Sequence, residues 1–265
     1  MNKLTNGEIK LIPSSYDIIG DIVVFNEFPE ELKKKEKEAG DYILNLHKNI
    51  RVVAVKIGKY SGRYRLPKLK IVAGEKRKET LHKENSVQVK LDVERCYFSV
   101  RLANERLRIA KLVKNEDVLV MFSGVGIYPL VIAKNSKAKE IYGIELNPVA
   151  HKYAEENKIL NKAWNVKFFK GDVKKVVPKL NKKFDRIVMP LPKTSKNYLD
   201  LSKKTLKKNG TIHFYTFLHE NDIEKEENKI RKKFRNSKIS YVRCGQYAPG
   251  AFRVCFDISL FGKKP

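Results

Sequence analysis

A short glycine-rich turn directly after an apolar run constrains the fold of this chain more than any other feature. Residues 118–122 are all apolar, and the turn at 123–126 reads Ser-Gly-Val-Gly. A second apolar run over 141–144 ends at the carboxylate of Glu145. In a doubly wound α/β sheet such glycines let the backbone approach a nucleoside, and the acid accepts hydrogen bonds from ribose hydroxyls. The spacing therefore predicts a nucleoside site at the carboxyl edge of a parallel sheet.

The turn also narrows the class of nucleoside. It lacks a third glycine at the spacing that dinucleotide sites use, and no Gly-Lys-Ser/Thr follows it, which excludes a P-loop. Asp172 follows a third apolar run, where a carboxylate that contacts adenine is expected. Two carboxylates and a short turn favour S-adenosylmethionine, a cationic ligand with a ribose and no phosphates. The alternative is an ordinary turn between strand and helix, with an incidental glutamate at residue 145.

Alternating strands and helices after residue 99 predict the larger domain. Strands are predicted at 118–122, 141–145, 166–169, 184–189, 211–217, 239–244 and 251–260. Helices are predicted at 101–113 and 223–235. This alternation predicts an α/β fold with a doubly wound, Rossmann-like sheet and a parallel core. The last two strands are adjacent in sequence and predict an antiparallel edge.

The first part of the chain carries no nucleotide motif. A turn and a strand are predicted over 14–28, a charged helix over 29–47, and strands at 51–57, 68–72 and 86–93. We therefore predict a smaller N-terminal α+β domain over residues 1–95 and a cofactor-binding domain over residues 96–265.

The charge of the chain predicts an anionic partner. Its 265 residues carry a formal net charge of +26, and nucleic acid is the usual partner of so basic a protein. The alternative is a solvated, lysine-rich surface. Three cysteines without a CxxC spacing indicate a reducing compartment and predict neither a zinc site nor a disulfide framework. No apolar run reaches the length of a membrane span, so we expect a cytoplasmic protein with no membrane partner. We also expect no metal.

Two segments carry groups suited to chemistry on a nucleobase. Pro190 and Pro192 follow the strand at 184–189, and prolines fix the backbone and leave carbonyl groups free for a ligand. The helix at 101–113 carries Glu105 among several arginines. An arginine and a glutamate can act together on guanine, because N1 must lose its proton while negative charge grows on O6. The alternatives are a rigid loop at the prolines and a surface ion pair at Glu105.

Taken together, these segments resemble the archaeal and eukaryotic tRNA (guanine-37-N1)-methyltransferase family along nearly the whole chain. The residues that carry the resemblance are 17–21, 65–67 with 73–75, 82–85, 97–99, Arg101, Leu102, Glu105, Arg106, 124–126 and 247–250. The resemblance implies that Arg65 stabilises O6 and that Glu105 is the general base. It also implies a methyltransferase sheet, a base-positioning role for the N-terminal domain, and the tRNA anticodon stem-loop as partner of a monomeric enzyme. The implied cofactor-binding residues are Tyr97, Phe122, Ser123, Gly124, Val125, Gly126, Glu145, Leu146, Asp172, Val173, Pro190 and Pro192.

The sequence departs from the family pattern in three places. Pro190 stands where many members have asparagine, and Val120 stands where an acidic residue is common. The extra N-terminal domain that some members use to contact the tRNA elbow is expected to be absent, because the core pattern begins by residue 17.

Two other functions stay open. One is a related wyosine-pathway enzyme, either an aminocarboxypropyl transferase or a bifunctional precursor methyltransferase. The other is a non-catalytic RNA-binding protein with a relict cofactor fold.

Overall fold

The computed structural model describes residues 4–190 and 195–261. Within these ranges the chain divides into two compact units. The first runs through Glu84 and resumes over Gln88–Val100, and the second comprises Asn85–Val87 and the chain from Arg101 onward. Among the described residues, no helix is both long enough and apolar enough to cross a membrane.

The first unit is a small α+β structure around a mixed sheet. Its strands are β1 (Asp17–Ile19), β2 (Ile22–Phe25), β3 (Val52–Ser61), β4 (Leu66–Gly74), β5 (Glu79–Glu84) and β6 (Val87–Asp92), with helices α1 (Asn6–Leu11) and α2 (Glu36–Leu46). Strands β1 to β4 form one sheet in chain order, and β5 pairs with β6. Helix α2 crosses β4 at Gly40, where a Cβ atom would lie 2.6 Å from the Cβ of Ala73. Glycine is required at that crossing because any side chain would push the helix off the sheet.

The second unit is a doubly wound α/β sheet. Its strands are β7 (Asp117–Met121), β8 (Glu140–Glu145), β9 (Val166–Lys170), β10 (Phe184–Met189), β11 (Leu206–His219), β12 (Ser237–Ala248) and β13 (Ala251–Leu260). In the described part of the chain they lie in the order β12-β13-β11-β10-β7-β8-β9. Strands β11, β10, β7, β8 and β9 are parallel, whereas β13 is antiparallel to both β11 and β12. The parallel core and the antiparallel edge are therefore confirmed.

The two faces of this sheet differ in chemistry. The helices of the second unit are α3 (Ala103–Leu112), α4 (Ile127–Asn135), α5 (Pro148–Leu160), α6 (Val173–Lys179), α7 (Leu199–Thr205) and α8 (Ile223–Lys233). Helices α6, α7 and α8 cover one face through an apolar core that includes Ile187, Phe214 and Phe256. Because side chains alternate along a strand, His213 and Tyr215 point to the other face, which α3 and α4 cover. That second face carries a buried polar cluster.

Some predicted elements differ from the structure. Residues 29–47 do not form one helix, since a 3₁₀ helix at Glu30–Lys35 precedes α2. Helix α1 and strand β5 were not predicted from the sequence. Strand β5 ends at a turn in which Asn85 and Ser86 both have positive φ, 45° and 62°. This conformation is typical of a two-residue hairpin turn. The strand before the turn was not predicted because residues 75–85 are mostly polar.

Candidate active site

The turn after β7 places backbone amide groups at the carboxyl edge of the sheet. Phe122, Gly124 and Gly126 have φ values of 63°, 57° and 88°, so the chain reverses sharply through the left-handed region. The N–H of Ser123 donates to the carbonyl oxygen of Ile144 at 2.9 Å, which fixes the turn against the tip of β8. Val125 is buried beneath the turn, and its carbonyl oxygen accepts a hydrogen bond of 3.0 Å from Asn157.

Glu145 lies at the tip of β8 and is held by backbone groups. Its Oε2 accepts a 2.7 Å hydrogen bond from the N–H of Gly124, and its Oε1 accepts one of 2.7 Å from the N–H of Asn147. Burial raises the pKa of this carboxyl group, while hydrogen bonds from backbone N–H groups, Leu146 included, oppose the rise. A carboxylate has about four lone-pair sites, so these three backbone donors leave room for a hydroxyl group of a ligand.

Asp172 lies at the tip of β9 and caps α6. Its Oδ1 accepts a 2.8 Å hydrogen bond from the N–H of Lys174, while the next residue, Val173, is buried in the core. The N–H of Gly171 donates to the carbonyl oxygen of Glu145 at 2.8 Å, so the two strand tips are tied together. The carboxylates of Glu145 and Asp172 thus follow neighbouring strands at one edge of the sheet.

These strand tips fit a nucleoside without phosphates. Ser123 Oγ is buried and has no hydrogen-bond partner within residues 4–190 and 195–261, which leaves a hydroxyl group for a ligand to satisfy. Two carboxylates would repel phosphate groups but can bind ribose hydroxyls and adenine amino groups. Pro190 is half-buried just beyond β10, and Pro192 lies outside the described residues.

Glu105 is buried on the first turn of α3 in a network of side chains. Arg108 donates to it bidentately, from Nε to Oε2 at 2.7 Å and from Nη2 to Oε1 at 2.8 Å. Tyr215 on β11 donates its hydroxyl group to Oε1 at 2.5 Å. Arg108 also donates from Nη1 to Oδ2 of Asp257 on β13 at 2.7 Å. Glu105 is therefore part of a buried ion-pair network and not the exposed bridge that its arginine-rich helix suggests.

Comparison with protein families identifies the chain. Residues 80–242 match the TRM5/TYW2 methyltransferase domain, and residues 1–77 match the TYW2 N-terminal domain. The chain belongs to the TRM5/TYW2 methyltransferase family. The family resemblance inferred from the sequence is thus confirmed, as is the fold class.

Two relatives show the range of activities in the TRM5/TYW2 family. The tRNA (guanine(37)-N(1))-methyltransferase Trm5b of Pyrococcus abyssi is 38% identical over 260 residues, which are 95% of this chain and 76% of the relative. The tRNA 4-demethylwyosine(37)-methyltransferase Taw21 of Saccharolobus solfataricus is 35% identical over 247 residues, which are 91% of this chain and 92% of the relative.

Two solved Trm5 structures are similar to nearly the whole chain. The complex of aTrm5 with tRNALeu has a TM-score of 0.84 at 30% identity, and covers 95% of this chain and 73% of the solved one. Trm5 of Methanocaldococcus jannaschii in complex with adenosine has a TM-score of 0.82 at 32% identity, and covers 96% of this chain and 76% of the solved one.

Arg65 and Tyr97, two site residues that the family resemblance implies, lie in the first unit. Arg65 is half-buried at the turn between β3 and β4, where its φ is +53° and its N–H donates to the carbonyl oxygen of Gly62 at 3.1 Å. The ring of Tyr97 is partly exposed and packs edge-on against Tyr60, with ring centroids 5.7 Å apart. The other described site residues of this family member lie in the second unit.

Sequence reasoning missed several residues that shape the site of this TRM5/TYW2 member. Asn147 caps α5 and orients Glu145, and the pair Asn147-Pro148 is a recognisable helix start. Gly143 faces Phe168, since a Cβ atom there would lie 2.6 Å from the ring. Tyr215 and Asp257 were missed because they reach Glu105 or Arg108 across 110 and 149 residues of chain. Asp257 has one weak sequence signal, since it is a charged residue between the apolar residues Phe256 and Ile258.

Three polar groups of this TRM5/TYW2 member lie close enough together to suggest a metal site. His213, Cys255 and Asp257 offer atoms within 4.8 Å of one another. Arg108, however, donates to both Asp257 and the Cys255 sulfur, and Arg186 lies 2.6 Å from His213 Nε2. Two guanidinium groups already supply positive charge there, so we assign no metal to the cluster.

Proposed function

We propose that this chain transfers a methyl group from S-adenosylmethionine to N1 of guanine 37 in tRNA. The observation that carries the proposal is the 38% identity to P. abyssi Trm5b over 95% of the chain. The strand-tip carboxylates and the buried Glu105 supply groups that this reaction needs.

The strand tips of the second unit would hold the cofactor. Glu145 would bind the ribose hydroxyls, and Asp172 would contact the adenine. The turn over Phe122–Gly126 would approach the cofactor through its backbone amides, and Ser123 Oγ would complete a hydrogen bond. S-adenosylmethionine supplies an electrophilic methyl group on its sulfonium. The residues of this chain position that methyl group and the guanine, since an in-line transfer depends mainly on orientation.

Glu105 and Arg65 would carry the chemistry on the base. N1 of guanine bears a proton at neutral pH, so Glu105 would remove it as the methyl group arrives. Negative charge grows on O6 as the proton leaves, and the guanidinium of Arg65 would stabilise it. Tyr97 would lie near the methyl donor. Neither Glu105 nor Arg65 is needed for cofactor binding, which separates the two parts of the proposal experimentally.

The RNA partner is supported by charge as well as by the solved complex with tRNALeu. A net charge of +26 suits binding to the phosphate backbone of an anticodon stem-loop. In this proposal one copy of the chain binds the tRNA, in the cytoplasm. If lysines and arginines contact phosphates, the logarithm of tRNA affinity falls linearly and steeply with the logarithm of salt concentration. A nearly flat profile would show that the charge is only a solvated surface.

Two wyosine-pathway activities remain the nearest alternatives. The similarity to Taw21 favours a bifunctional enzyme that also methylates the wyosine precursor. An aminocarboxypropyl transferase is less favoured, because that reaction needs no proton acceptor at N1 and Glu105 is present. A non-catalytic RNA-binding protein is disfavoured by the retained Glu145 and Asp172, and failure to bind S-adenosylmethionine would support it.

Product analysis tests the proposal. Unmodified tRNA is incubated with the protein and S-adenosylmethionine labelled separately in the methyl and the aminocarboxypropyl groups, and the nucleosides are identified by mass spectrometry. We expect one methyl group on N1 of guanosine, and none when guanine 37 is replaced by adenine. A product that carries the aminocarboxypropyl label, or no modified nucleoside, would contradict the proposal.

A further inference from the structure

We propose that Arg108 and Asp257 form a charge-balanced pair that positions Glu105 and sets how readily it accepts the proton of guanine N1. The inference rests on the proposed function and names positioning residues for it. Arg108 lies between the two carboxylates, with donor distances of 2.7 and 2.8 Å to Glu105 and of 2.7 and 3.2 Å to Asp257. All three side chains belong to the second unit.

The hydrogen bonds to Glu105 leave one position for a proton. Oε1 accepts from both Tyr215 and Arg108 Nη2, whereas Oε2 accepts from Arg108 Nε. A carboxylate has about four lone-pair sites, two on each oxygen. Among donors from the described residues, the Oε1 sites are filled and one site on Oε2 is open. The geometry therefore assigns Oε2 as the atom that receives the proton.

Asp257 keeps Arg108 from suppressing the basicity of Glu105. A guanidinium paired with a single carboxylate favours the charged form of that carboxylate and so weakens it as a base. Here one cation serves two carboxylates, and the three groups carry a net charge of −1. When Glu105 accepts a proton, Arg108 and Asp257 remain a neutral pair. The proton is therefore taken up without leaving a buried charge uncompensated.

Asp257 stays ionised because of its own partners. Although burial opposes the charge, hydrogen bonds from His213 and Arg108 hold the pKa of Asp257 well below its usual range. Arg186 Nη1 can only donate to His213 Nε2, at 2.6 Å, so the imidazole proton is on Nδ1, which donates to Asp257 Oδ1 at 2.6 Å. Burial lowers the pKa of His213, which keeps the ring neutral.

The other titratable groups around Glu105 do not change charge near neutral pH. From β11, α4 and β13, the neighbours are Tyr215, Tyr128 and Cys255. Burial raises the pKa of both phenols and of the thiol, so all three stay protonated. Burial opposes the charge of Arg108, but its bonds to Glu105 and Asp257 raise its pKa. The guanidinium of Arg106 lies over the Tyr128 ring at 5.8 Å and is permanently charged. These neighbours therefore keep the same charge during the proposed proton transfer to Glu105.

The test is the pH dependence of single-turnover methyl transfer at saturating enzyme and S-adenosylmethionine. Arg108→Gln removes the cation, so we expect the acidic limb of the rate profile to move to higher pH. In Asp257→Asn, Glu105 is the one carboxylate that still pairs with Arg108, which makes Glu105 a weaker base. We therefore expect the acidic limb to move to lower pH and the plateau rate to fall about tenfold. Arg108→Lys keeps the charge and should return the limb towards its wild-type position.

Glu116→Gln provides a matched control. Glu116 accepts a bidentate pair of hydrogen bonds from Arg186, at 2.6 and 2.9 Å, at the far end of the same polar chain. Glu116→Gln makes the same carboxylate-to-amide change as Asp257→Asn. Glu116 also pairs with an arginine, but it does not touch Glu105 or Arg108. We expect a lower midpoint of thermal unfolding and an unmoved acidic limb.

The outcomes separate this inference from the proposed function. If Arg108→Gln and Asp257→Asn lower thermal stability but leave the limb in place, the network is only structural and the inference is overturned. If Arg108→Gln does not fold, Asp257→Asn decides the question, and an unmoved limb in that folded variant would overturn the inference as well. If wild-type protein forms no N1-methylguanosine, the proposed function itself fails.

Discussion

The second unit holds two carboxylates, the half-buried Glu145 and the buried Glu105, in contrasting ways. Glu145 is fixed by backbone N–H groups of Gly124 and Asn147, 21 and 2 residues away in the chain. Glu105 is fixed by the side chains of Arg108 and Tyr215, and Tyr215 lies 110 residues away. A carboxylate held by backbone does not depend on the donor side chains of its neighbours. A carboxylate held by side chains can be adjusted one substitution at a time, which suits a group whose proton affinity matters.

This contrast predicts that cofactor binding and chemistry can be damaged separately. The strand tips should control the affinity for S-adenosylmethionine, whereas Glu105, its network and Arg65 should control the rate of transfer.

Among Arg65, Asp257, Glu145 and Asp172, the largest effect is expected from Arg65→Ala. Loss of the guanidinium removes charge stabilisation at O6, so single-turnover transfer should slow by about 10²-fold, or about 2.7 kcal/mol, with cofactor affinity nearly unchanged. Arg63→Ala is the control, because Arg63 is an exposed arginine on the same turn. Equal losses in both variants would mean that Arg65 contributes only general charge for RNA binding.

Asp257→Asn should remove part of the acid sensitivity of folding. The folded-state pKa of Asp257 is depressed by its partners, so its contribution is present above the unfolded value near 4 and is lost as pH falls further. At neutral pH that contribution is about 2 kcal/mol. Urea unfolding at pH 7 and pH 3 should show a smaller difference in unfolding free energy for the variant. Parallel curves would show that Asp257 has no special partner in the folded state.

Glu145→Ala should weaken S-adenosylmethionine binding by about tenfold or more, or about 1.4 kcal/mol, because charge-assisted hydrogen bonds to the ribose are lost. Calorimetry measures the affinity, and transfer at saturating cofactor should recover most of the wild-type rate. Glu156→Ala is the matched control, because Glu156 is a partly exposed glutamate on α5 that pairs with Lys152. Unchanged affinity in Glu145→Ala would remove the residue from the cofactor site.

The smallest effect is expected from Asp172, which combines a helix cap with a cofactor contact. Asp172→Ala should cost about 1 kcal/mol of stability through the lost cap, whereas Asp172→Asn should keep the cap. Both variants should bind the cofactor less tightly, because both lose the carboxylate. If only the alanine variant binds less tightly, the residue acts through the helix and not through the ligand.

The strand tips could be predicted from sequence because their chemistry is local. One stretch of chain contains all three features. The apolar run over 118–122 forms the strand, the turn at 123–126 reverses the chain, and residue 145 supplies the carboxylate. The structure places these elements within a residue or two of the predicted positions. The division of 29–47 into two helices was not predictable from charge and spacing alone.

The Glu105 network could not be predicted because its members are dispersed. Arg108 was visible as a neighbour on the same helix, and an ion pair with Glu105 was one of the expected alternatives. Tyr215 and Asp257 become neighbours only through the antiparallel edge, where Tyr215 pairs with Cys255 and His213 pairs with Asp257. Nothing in a single sequence specifies that register, so partners of this kind emerge only from the fold.

The most direct test of the account is Glu105→Gln, which keeps the shape of the side chain and removes its basicity. We predict that single-turnover methyl transfer slows by about 10²-fold or more, that S-adenosylmethionine affinity is nearly unchanged, and that the rise of rate with pH is partly lost. A variant with a near wild-type rate and pH profile, and only a small loss of stability, would contradict the central claim that Glu105 accepts the proton of guanine N1.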